Sequence, residues 1–190
     1  EQAVAAPYCS AKLADAGARV IKVERKEGDF ARYYDNFVKG ESTYFVWLNR
    51  GKESLIANIK KDEDIKLLKN IISQADIFIQ NLGPGVLKKV GLDSVALRRK
   101  YSSLITCDIS GFGQKGPYSE LKAYDLLVQA ETGLCSLTGS EEAPGRVGVS
   151  VCDIACGINA YSLILEALIK REYSGKGSSI KISLFESLSE

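Results

Sequence analysis

The sequence predicts an α/β protein with an open, mainly parallel, Rossmann-like sheet and helices on both of its faces. Short runs rich in β-branched residues alternate with longer segments in which apolar residues recur every three or four positions. Strands that alternate with helices in this order are typical of a parallel sheet covered on both sides. The 190 residues are 45% hydrophobic and 26% charged, which is ordinary for a globular domain. We therefore expect a single domain over residues 1–190.

Five segments have strand composition, and helical periodicity fills the intervals between them. The predicted strands are residues 19–24, 54–59, 76–80, 104–109 and 179–184. The predicted helices are residues 8–16, 62–74, 86–91 with 94–101, 124–134 and 154–171. Residues 111–123 contain three glycines and a proline and are predicted to form a loop. Ligands of open α/β sheets lie beyond the carboxyl ends of the strands, which directs attention to residues 24–25, 81–85 and 110–113.

Charge and hydropathy argue against several classes of partner. The chain carries 25 basic and 24 acidic side chains, a net charge of +1, so no overall field favours nucleic acid or an anionic membrane. No apolar run approaches the roughly 18–20 residues that span a bilayer, and the first residues lack the features of a signal peptide. We expect a cytoplasmic protein with neither a nucleic-acid nor a membrane partner.

The residue types available for chemistry are few. Histidine is absent, which removes serine–histidine and cysteine–histidine nucleophile pairs and histidine metal sites. The five cysteines are scattered, so we expect reduced, mostly buried thiols and no metal site. Any covalent chemistry must therefore use a carboxylate, a tyrosine, a lysine or a thiol.

Asp153 is the acid that stands out, in the segment VGVSVCDIACG at residues 147–157. Small and apolar neighbours surround it, and an ionisable group in such a setting is paired, caps a helix or is functional. On pattern alone a helix N-cap is favoured, because an apolar helical run follows directly. A second segment, NLGPG at residues 81–85, follows a predicted strand and suits either an anion-binding turn or an ordinary tight turn equally well.

Six ordered motifs carry a resemblance to a known family. They are LADAGARVIKVE (13–24), NRGKES (49–54), AD with NLGPG (75–85), ISGFGQKGPY (109–118), AYD (123–125) and LTG (137–139). In order and spacing they resemble the family III CoA-transferases, also called the CaiB/BaiF family. Members of that family are about twice as long as this chain. The resemblance therefore implies that residues 1–190 form part of the family's large, CoA-binding and catalytic domain, without its first strand and its C-terminal half.

The resemblance implies a role for Asp153 as the covalent nucleophile. In the family, the aspartate attacks an acyl-CoA thioester to give a mixed anhydride; the released CoA thiolate then forms an aspartyl-CoA thioester, and the acceptor acid completes the exchange. Aspartate, with an ordinary pKa of about 3.9, is expected to be ionised at neutral pH without a general base. Coenzyme A and its thioesters are then substrates, and no permanently bound cofactor is expected.

The resemblance also implies a set of CoA contacts. The matching positions are Arg25, Ala57, Lys60, Asn81, Leu82, Lys89 and Lys122. Two of them depart from the family pattern. Leu82 stands where an aromatic residue is common, which weakens stacking on adenine, and Lys89 stands where arginine is common, which replaces a bidentate phosphate contact with a point charge.

Tyr124 and Asp125 separate two related activities. The α-methylacyl-CoA racemases resemble this chain almost as closely, but they carry a histidine base at the position of Tyr124. Tyrosine, with an ordinary pKa of about 10, is a poor base at neutral pH, so CoA transfer is favoured over racemisation. Asp125 is expected either to orient the substrate or to make a structural hydrogen bond to the following helix.

The resemblance is strongest to the branch that acts on small dicarboxylyl-CoA esters such as succinyl-CoA or mesaconyl-CoA, and it implies an interlocked homodimer in the full-length form. Two alternatives to transfer stay open. The first is a racemase or isomerase. The second is a non-catalytic CoA-binding fragment, because half of the family's chain is absent.

Overall fold

The computed structural model describes residues 1–190, which form eight α-helices and five β-strands. The strands are Val20–Glu24 (β1), Lys52–Ile56 (β2), Ile77–Gln80 (β3), Ile105–Ser110 (β4) and Ser179–Ser183 (β5). The helices are Ala5–Asp15 (α1), Thr43–Asn49 (α2), Asp62–Ile72 (α3), Ser94–Lys100 (α4), Asp125–Glu131 (α5), Leu134–Leu137 (α6), Val151–Ser174 (α7) and Leu184–Ser189 (α8). Two 3-10 turns, Phe30–Tyr33 and Lys88–Val90, complete the regular structure.

All strand pairs are parallel, as the alternating sequence pattern predicts. The strands form two sheets rather than the single one expected: β1 pairs with β2, and β3–β4–β5 form a second sheet with β4 in the centre. Helix α1 contacts both β1 and β3 and thus connects the two sheets. The N-terminal strand implied by the family resemblance lies outside residues 1–190.

Helices cover both faces of the three-stranded sheet, because the side chains of β4 alternate between two cores. Ile105, Cys107 and Ile109 face a cluster that includes α1, α5, α7 and α8. Leu104, just before β4, belongs to a second cluster formed with α3 and α4. The central strand is buried on both faces, which is the condition that favours parallel pairing.

Most elements lie where the sequence predicts them, with three kinds of difference. Strand β2 begins two residues earlier than expected and ends at Ile56, so residues 57–59 are not strand. The expected helix over residues 86–91 is only the 3-10 turn Lys88–Val90, and the expected helix over 124–134 is divided into α5 and α6 by Gly133, whose φ is +82°. Helices α2 and α8 were not predicted, because both are only six or seven residues long.

Helix α7 corrects one expectation about membranes. Its 24 residues are long and apolar enough to span a bilayer by length and composition alone, contrary to the estimate from apolar runs. The buried core helices of globular proteins meet the same criterion. Here α7 packs against α1, β4, β5 and α8, and its residues Cys152, Cys156, Ala160 and Ile164 are fully buried.

Candidate active site

Asp153 lies in the first turn of α7, three residues after the helix N-cap. The N-cap residue is Ser150, and its side chain accepts no hydrogen bond from the helix. The prediction that Asp153 itself caps the helix is therefore wrong. Its carboxylate is free to face the surroundings of the helix terminus rather than the helix's own backbone.

The capping group of α7 comes instead from Asp125, at the start of α5. One carboxylate oxygen of Asp125, Oδ1, accepts hydrogen bonds from the backbone N–H of Cys152 at 2.8 Å and of Asp153 at 3.3 Å. The other oxygen, Oδ2, accepts one from the side chain of Gln129 at 2.6 Å. The structural alternative for Asp125, a hydrogen bond to the following helix, is thus present in the structure.

Gln129 is a site residue that the sequence analysis missed. It is 1% exposed, and its side chain makes a two-way pair with the backbone of Val147: Nε2 donates to the carbonyl oxygen at 3.3 Å and Oε1 accepts from N–H at 2.8 Å. Gln129 therefore fixes both Asp125 and the segment that leads into α7. Its position one turn after Asp125 on an ordinary helix gave no signal in the sequence.

Close packing of α7 on α1 brings Asp153 to the first turn of a second helix. A side-chain carbon at Gly157 would lie 2.8 Å from the carbonyl oxygen of Ala5 and 3.0 Å from the ring of Tyr8, so only glycine allows this approach. The backbone N–H of Ala5, in the first turn of α1, lies close enough to the Asp153 carboxylate to favour its ionised form. The amino ends of α1 and α7 thus meet around this one acid.

Burial, reinforced by the negative charge of Asp125, raises the pKa of Asp153 to about 7, although the nearby backbone N–H of Ala5 opposes the shift. The expectation that Asp153 is fully ionised at neutral pH is therefore wrong for this structure. A desolvated carboxylate is less stable than one in water and has more to gain from forming a covalent bond. Near pH 7 the group is divided between its acid form and its nucleophilic form.

Tyr34 is a second residue that the sequence analysis missed. Burial and the nearby charges of Asp29 and Asp153, together with Tyr124 and Tyr44, raise the pKa of its hydroxyl to about 12. Tyr34 therefore lies within electrostatic range of both Asp153 and Tyr124 while its side chain remains 48% exposed. The only sequence signal is the density of aromatic residues between positions 30 and 37.

Tyr34 belongs to a row of aromatic rings. Its ring centroid is 5.9 Å from that of Phe30 and 5.7 Å from that of Tyr44, and the row continues from Tyr44 to Trp47 at 6.0 Å. Spacings of this kind are typical of favourable edge-to-face and tilted ring pairs. The row reaches α7 through Tyr8, whose ring centroid is 5.4 Å from that of Trp47 and whose ring lies against Gly157, one turn after Asp153.

Parallel pairing of β1 and β2 brings together Arg25 and Ala57, two of the predicted CoA contacts. The backbone N–H of Ala57 donates to the carbonyl oxygen of Glu24 at 2.9 Å, which places Ala57 beside the carboxyl end of β1. Arg25 follows directly and is exposed, with Nε donating to the carbonyl oxygen of Gly28 at 3.0 Å. The terminal nitrogens of its guanidinium group make no hydrogen bond.

Asn81 and Leu82 follow β3, and both side chains contact other parts of the protein. Asn81 pairs with the backbone of Gln2, accepting at 2.9 Å and donating at 2.8 Å. The next residue, Ala3, donates its N–H to Asp29 at 3.1 Å, so residues 2–3 connect the carboxyl ends of β3 and β1. Leu82 packs against the core formed with α3 and α4.

The three predicted lysine contacts, Lys60, Lys89 and Lys122, are exposed, and their side chains make no hydrogen bond or ion pair. A cavity of about 420 Å³ is lined by Arg98, Lys170 and Lys176 with neighbouring serines, and none of the predicted contacts lines it.

The cysteines are free thiols, four of them buried, as expected. Cys152 and Cys156 flank Asp153 on α7, and burial raises the pKa of both thiols, to about 12 for Cys156. A protonated thiol is a weak nucleophile, so neither competes with the carboxyl group. No group of three or more Cys, Asp and Glu side chains is arranged to hold a metal ion.

Fold and site together define a class: a parallel α/β domain with a largely desolvated aspartate in the first turn of a helix. The chain belongs to CoA-transferase family III, whose model matches residues 1–190.

Individual relatives agree with this assignment. The chain is 39% identical to the succinyl-CoA:glutarate CoA-transferase of Mus musculus, covering 97% of this chain and 43% of that protein. It is 34% identical to the succinyl-CoA:mesaconate CoA-transferase of Haloarcula marismortui, covering 98% of this chain and 50% of the relative. The crystal structure of a CaiB/BaiF family protein from Brucella suis superposes with a TM-score of 0.94 at 37% identity, over 99% of this chain and 51% of that one. The chain thus spans about half the length of the curated relatives it matches.

Proposed function

We propose that the protein containing this chain transfers CoA between carboxylic acids, with Asp153 as the covalent nucleophile. Membership of CoA-transferase family III supports the reaction class. The observation that carries the residue assignment is the setting of Asp153: a buried carboxyl group, with its pKa raised to about 7, at the meeting point of two helix amino termini. A structural acid in a helix interior has no need of such surroundings.

In the proposed reaction, the ionised carboxylate of Asp153 attacks the carbonyl carbon of the acyl-CoA thioester. The carbon–sulfur bond breaks, CoA leaves as a thiolate, and a mixed anhydride remains on Asp153. The thiolate then attacks the aspartyl carbonyl carbon, which releases the donor acid and leaves an aspartyl-CoA thioester. The acceptor carboxylate reverses these two steps with its own acyl group, so no net proton transfer is required.

The residues around Asp153 have distinct roles in this scheme. Asp125 holds the first turn of α7 in place through two backbone hydrogen bonds and raises the free energy of the ionised nucleophile. The N–H of Ala5 and the amino ends of both helices favour the ionised carboxylate before it attacks, and they are placed to stabilise the negative charge that develops on the aspartyl carbonyl oxygen when the thiolate attacks it. Arg25, beyond β1, is the first candidate for a CoA phosphate contact because its terminal nitrogens are unpaired.

The substrates we propose are small dicarboxylic acids. This rests on the relatives, since the matched proteins from Mus musculus and Haloarcula marismortui are named for succinyl-CoA with glutarate and with mesaconate. Residues 145–153 and 30–32, which resemble that branch, lie in the segments that lead to Asp153 and Tyr34. Coenzyme A is then a substrate, and the interlocked homodimer remains part of the same proposal.

The test uses the protein expressed from its complete gene, with succinyl-CoA as donor and glutarate, mesaconate, oxalate and butyrate as acceptors. Chromatography should detect new CoA esters of the dicarboxylates and little butyryl-CoA. Asp153→Ala should remove the activity, whereas Asp93→Ala, which removes an exposed acid that caps α4, should retain it. Transfer by Asp153→Ala would refute the nucleophile assignment, and no transfer by the wild type with any acceptor would refute the function.

A further inference from the structure

Glu24, the last residue of β1, has a buried carboxylate that accepts hydrogen bonds from three other residues. Its carboxylate is 2% exposed and accepts from the backbone N–H of Asp29 at 2.9 Å and from the hydroxyl of Ser54 at 2.7 Å. Arg32 donates to both of its oxygens, from Nε at 3.1 Å and from Nη2 at 2.8 Å. A bidentate pair of this kind fixes the plane of the guanidinium group as well as its position.

The same guanidinium group lies over an aromatic ring of a different element. Its central carbon is 3.7 Å from the ring centroid of Phe45 in α2, a stacked cation–π contact. Gly28 makes this arrangement possible, because a side-chain carbon there would lie 2.7 Å from Cδ and Nε of Arg32. One side chain thus connects the end of β1, the 3-10 turn Phe30–Tyr33 and helix α2.

Both elements that Arg32 joins carry a ring of the aromatic row, and one of these rings, Tyr34, lies within electrostatic range of Asp153. Tyr34 follows Arg32 by two residues, and Tyr44 directly precedes Phe45. The two tyrosine rings are 5.7 Å apart and nearly perpendicular, at 82°. Arg32 makes its side-chain hydrogen bonds to Glu24 alone, so any effect on the reaction must pass through the position of these rings.

We propose that Arg32, held by Glu24 and stacked on Phe45, is a positioning residue that sets the Tyr34–Tyr44 pair against Asp153 and thereby orients the acyl group of the substrate. The proposal rests on the proposed CoA-transfer function. In the proposed function the CoA phosphates contact Arg25, whose side chain bonds the carbonyl oxygen of Gly28 and makes no hydrogen bond to Arg32 or Glu24. The loss of Arg32 should therefore affect acyl orientation more than CoA affinity. Misplacement of a reacting group by about 1 Å costs as much as a hundredfold in rate.

Arg32→Lys tests this, because lysine keeps the charge but loses both the planar fork and the stacking. The matched control is Arg19→Lys, at the other end of β1, where Arg19 makes an equally short bidentate pair with Glu53, at 2.7 and 2.9 Å, but with exposed side chains. In the protein expressed from its complete gene, Arg32→Lys should lower kcat/KM for succinyl-CoA by roughly ten- to a hundredfold. The Kd for free CoA should stay within about twofold, and Arg19→Lys should behave as wild type.

Equal kinetics for the Arg32→Lys and Arg19→Lys variants would overturn the proposal, as would a parallel loss of CoA affinity. Glu24→Gln, which keeps the shape of the acid, should likewise lower kcat/KM and leave the Kd for free CoA nearly unchanged.

A crystal structure of Arg32→Lys gives a readout that does not depend on activity: we expect the Tyr34 and Tyr44 rings to separate beyond 5.7 Å. An unmoved ring pair would overturn the positioning role even in an active enzyme, whereas an inactive wild type would refute only the CoA-transfer function.

Discussion

Asp125 and Asp153 share one helix terminus, since Oδ1 of Asp125 accepts the backbone N–H of Asp153 at 3.3 Å. The same carboxylate that caps α7 is therefore a like charge beside the carboxyl group of Asp153. Capping stabilises the helix, and repulsion makes the ionised nucleophile less stable. A neutral residue could cap α7 equally well, so the choice of an acid at position 125 bears on reactivity.

This relationship predicts a pH dependence. The ionised form of Asp153 is the nucleophile, and its pKa is raised to about 7 by burial and by Asp125, so kcat/KM should rise as the pH increases through about 7. Asp125→Asn keeps an oxygen acceptor for the helix but removes the charge, so the midpoint of the profile should move to lower pH. Asp93→Asn, a change at the cap of α4, should leave the midpoint in place. An unchanged midpoint in Asp125→Asn would contradict the electrostatic role.

Stability should respond to the same group with a definite sign. The pKa of Asp153 is about 7 in the folded protein and about 3.9 in an unfolded chain, so ionisation favours unfolding. Asp153→Asn should therefore gain stability relative to wild type as the pH rises from about 4 to about 7, by up to roughly 4 kcal/mol. Denaturant titrations at several pH values measure this difference. A gain that does not depend on pH would show that charge is not the cause.

The stability change caused by Glu24→Gln should depend on pH in the opposite direction to that caused by Asp153→Asn. Burial raises the pKa of Glu24, but hydrogen bonds from Arg32, Ser54 and Asp29 outweigh it and lower the pKa to about 2. Its ionisation therefore favours folding above the unfolded pKa of about 4.3, and that contribution is lost as the pH falls towards 2. Glu24→Gln should be less stable than wild type at pH 7, with a difference that shrinks on acidification.

Arg25→Ala should separate phosphate recognition from recognition of the rest of CoA. We expect affinity for CoA to fall by roughly tenfold or more, the usual effect of losing a charge-assisted contact of about 1.5–3 kcal/mol. Affinity for a pantetheine thioester, which lacks those phosphates, should hardly change. Calorimetry with both ligands makes the comparison, and Arg19→Ala controls for a loss of surface charge. Equal weakening of both ligands would place Arg25 away from the phosphates.

The sequence predicted the elements better than the site. The sequence patterns identified all five strands and the main helices. Burial of β4 on both faces and the apolar periodicity of α3 and α7 both follow from local composition, which the sequence shows directly. The separation into two sheets depends on which strand edges meet, and no local pattern reports that.

Site residues divide in the same way. Asp153 was identified because an acid among small apolar residues is unusual, and its family position supported it. Its raised pKa was not predictable, because it arises from burial and from Asp125, 28 residues away in the chain. Tyr34 and Gln129 were missed for the same reason: their importance comes from contacts across the fold, whereas their local sequence is ordinary.

Transfer and racemisation can be separated with a chiral 2-methylacyl-CoA in deuterated water. Tyr124 stands where the racemases carry histidine, and a phenol is a poorer base than an imidazole for a weak carbon acid. The protein expressed from its complete gene should therefore exchange little α-proton while carboxylic acid acceptors still take up CoA. Rapid α-deuteration without CoA exchange would favour the racemase alternative, and CoA binding with neither reaction would favour the non-catalytic one.

The covalent role of Asp153 is tested most directly by mass spectrometry. The protein is incubated with succinyl-CoA, the reaction is rapidly quenched, and the mass of the peptide that contains Asp153 is measured. The assignment of Asp153 as the covalent nucleophile predicts a mass increase equal to CoA bound as a thioester on this residue, lost on addition of an acceptor acid and absent from the Asp153→Ala variant. An adduct on another residue, or CoA transfer that continues in Asp153→Ala, would contradict it.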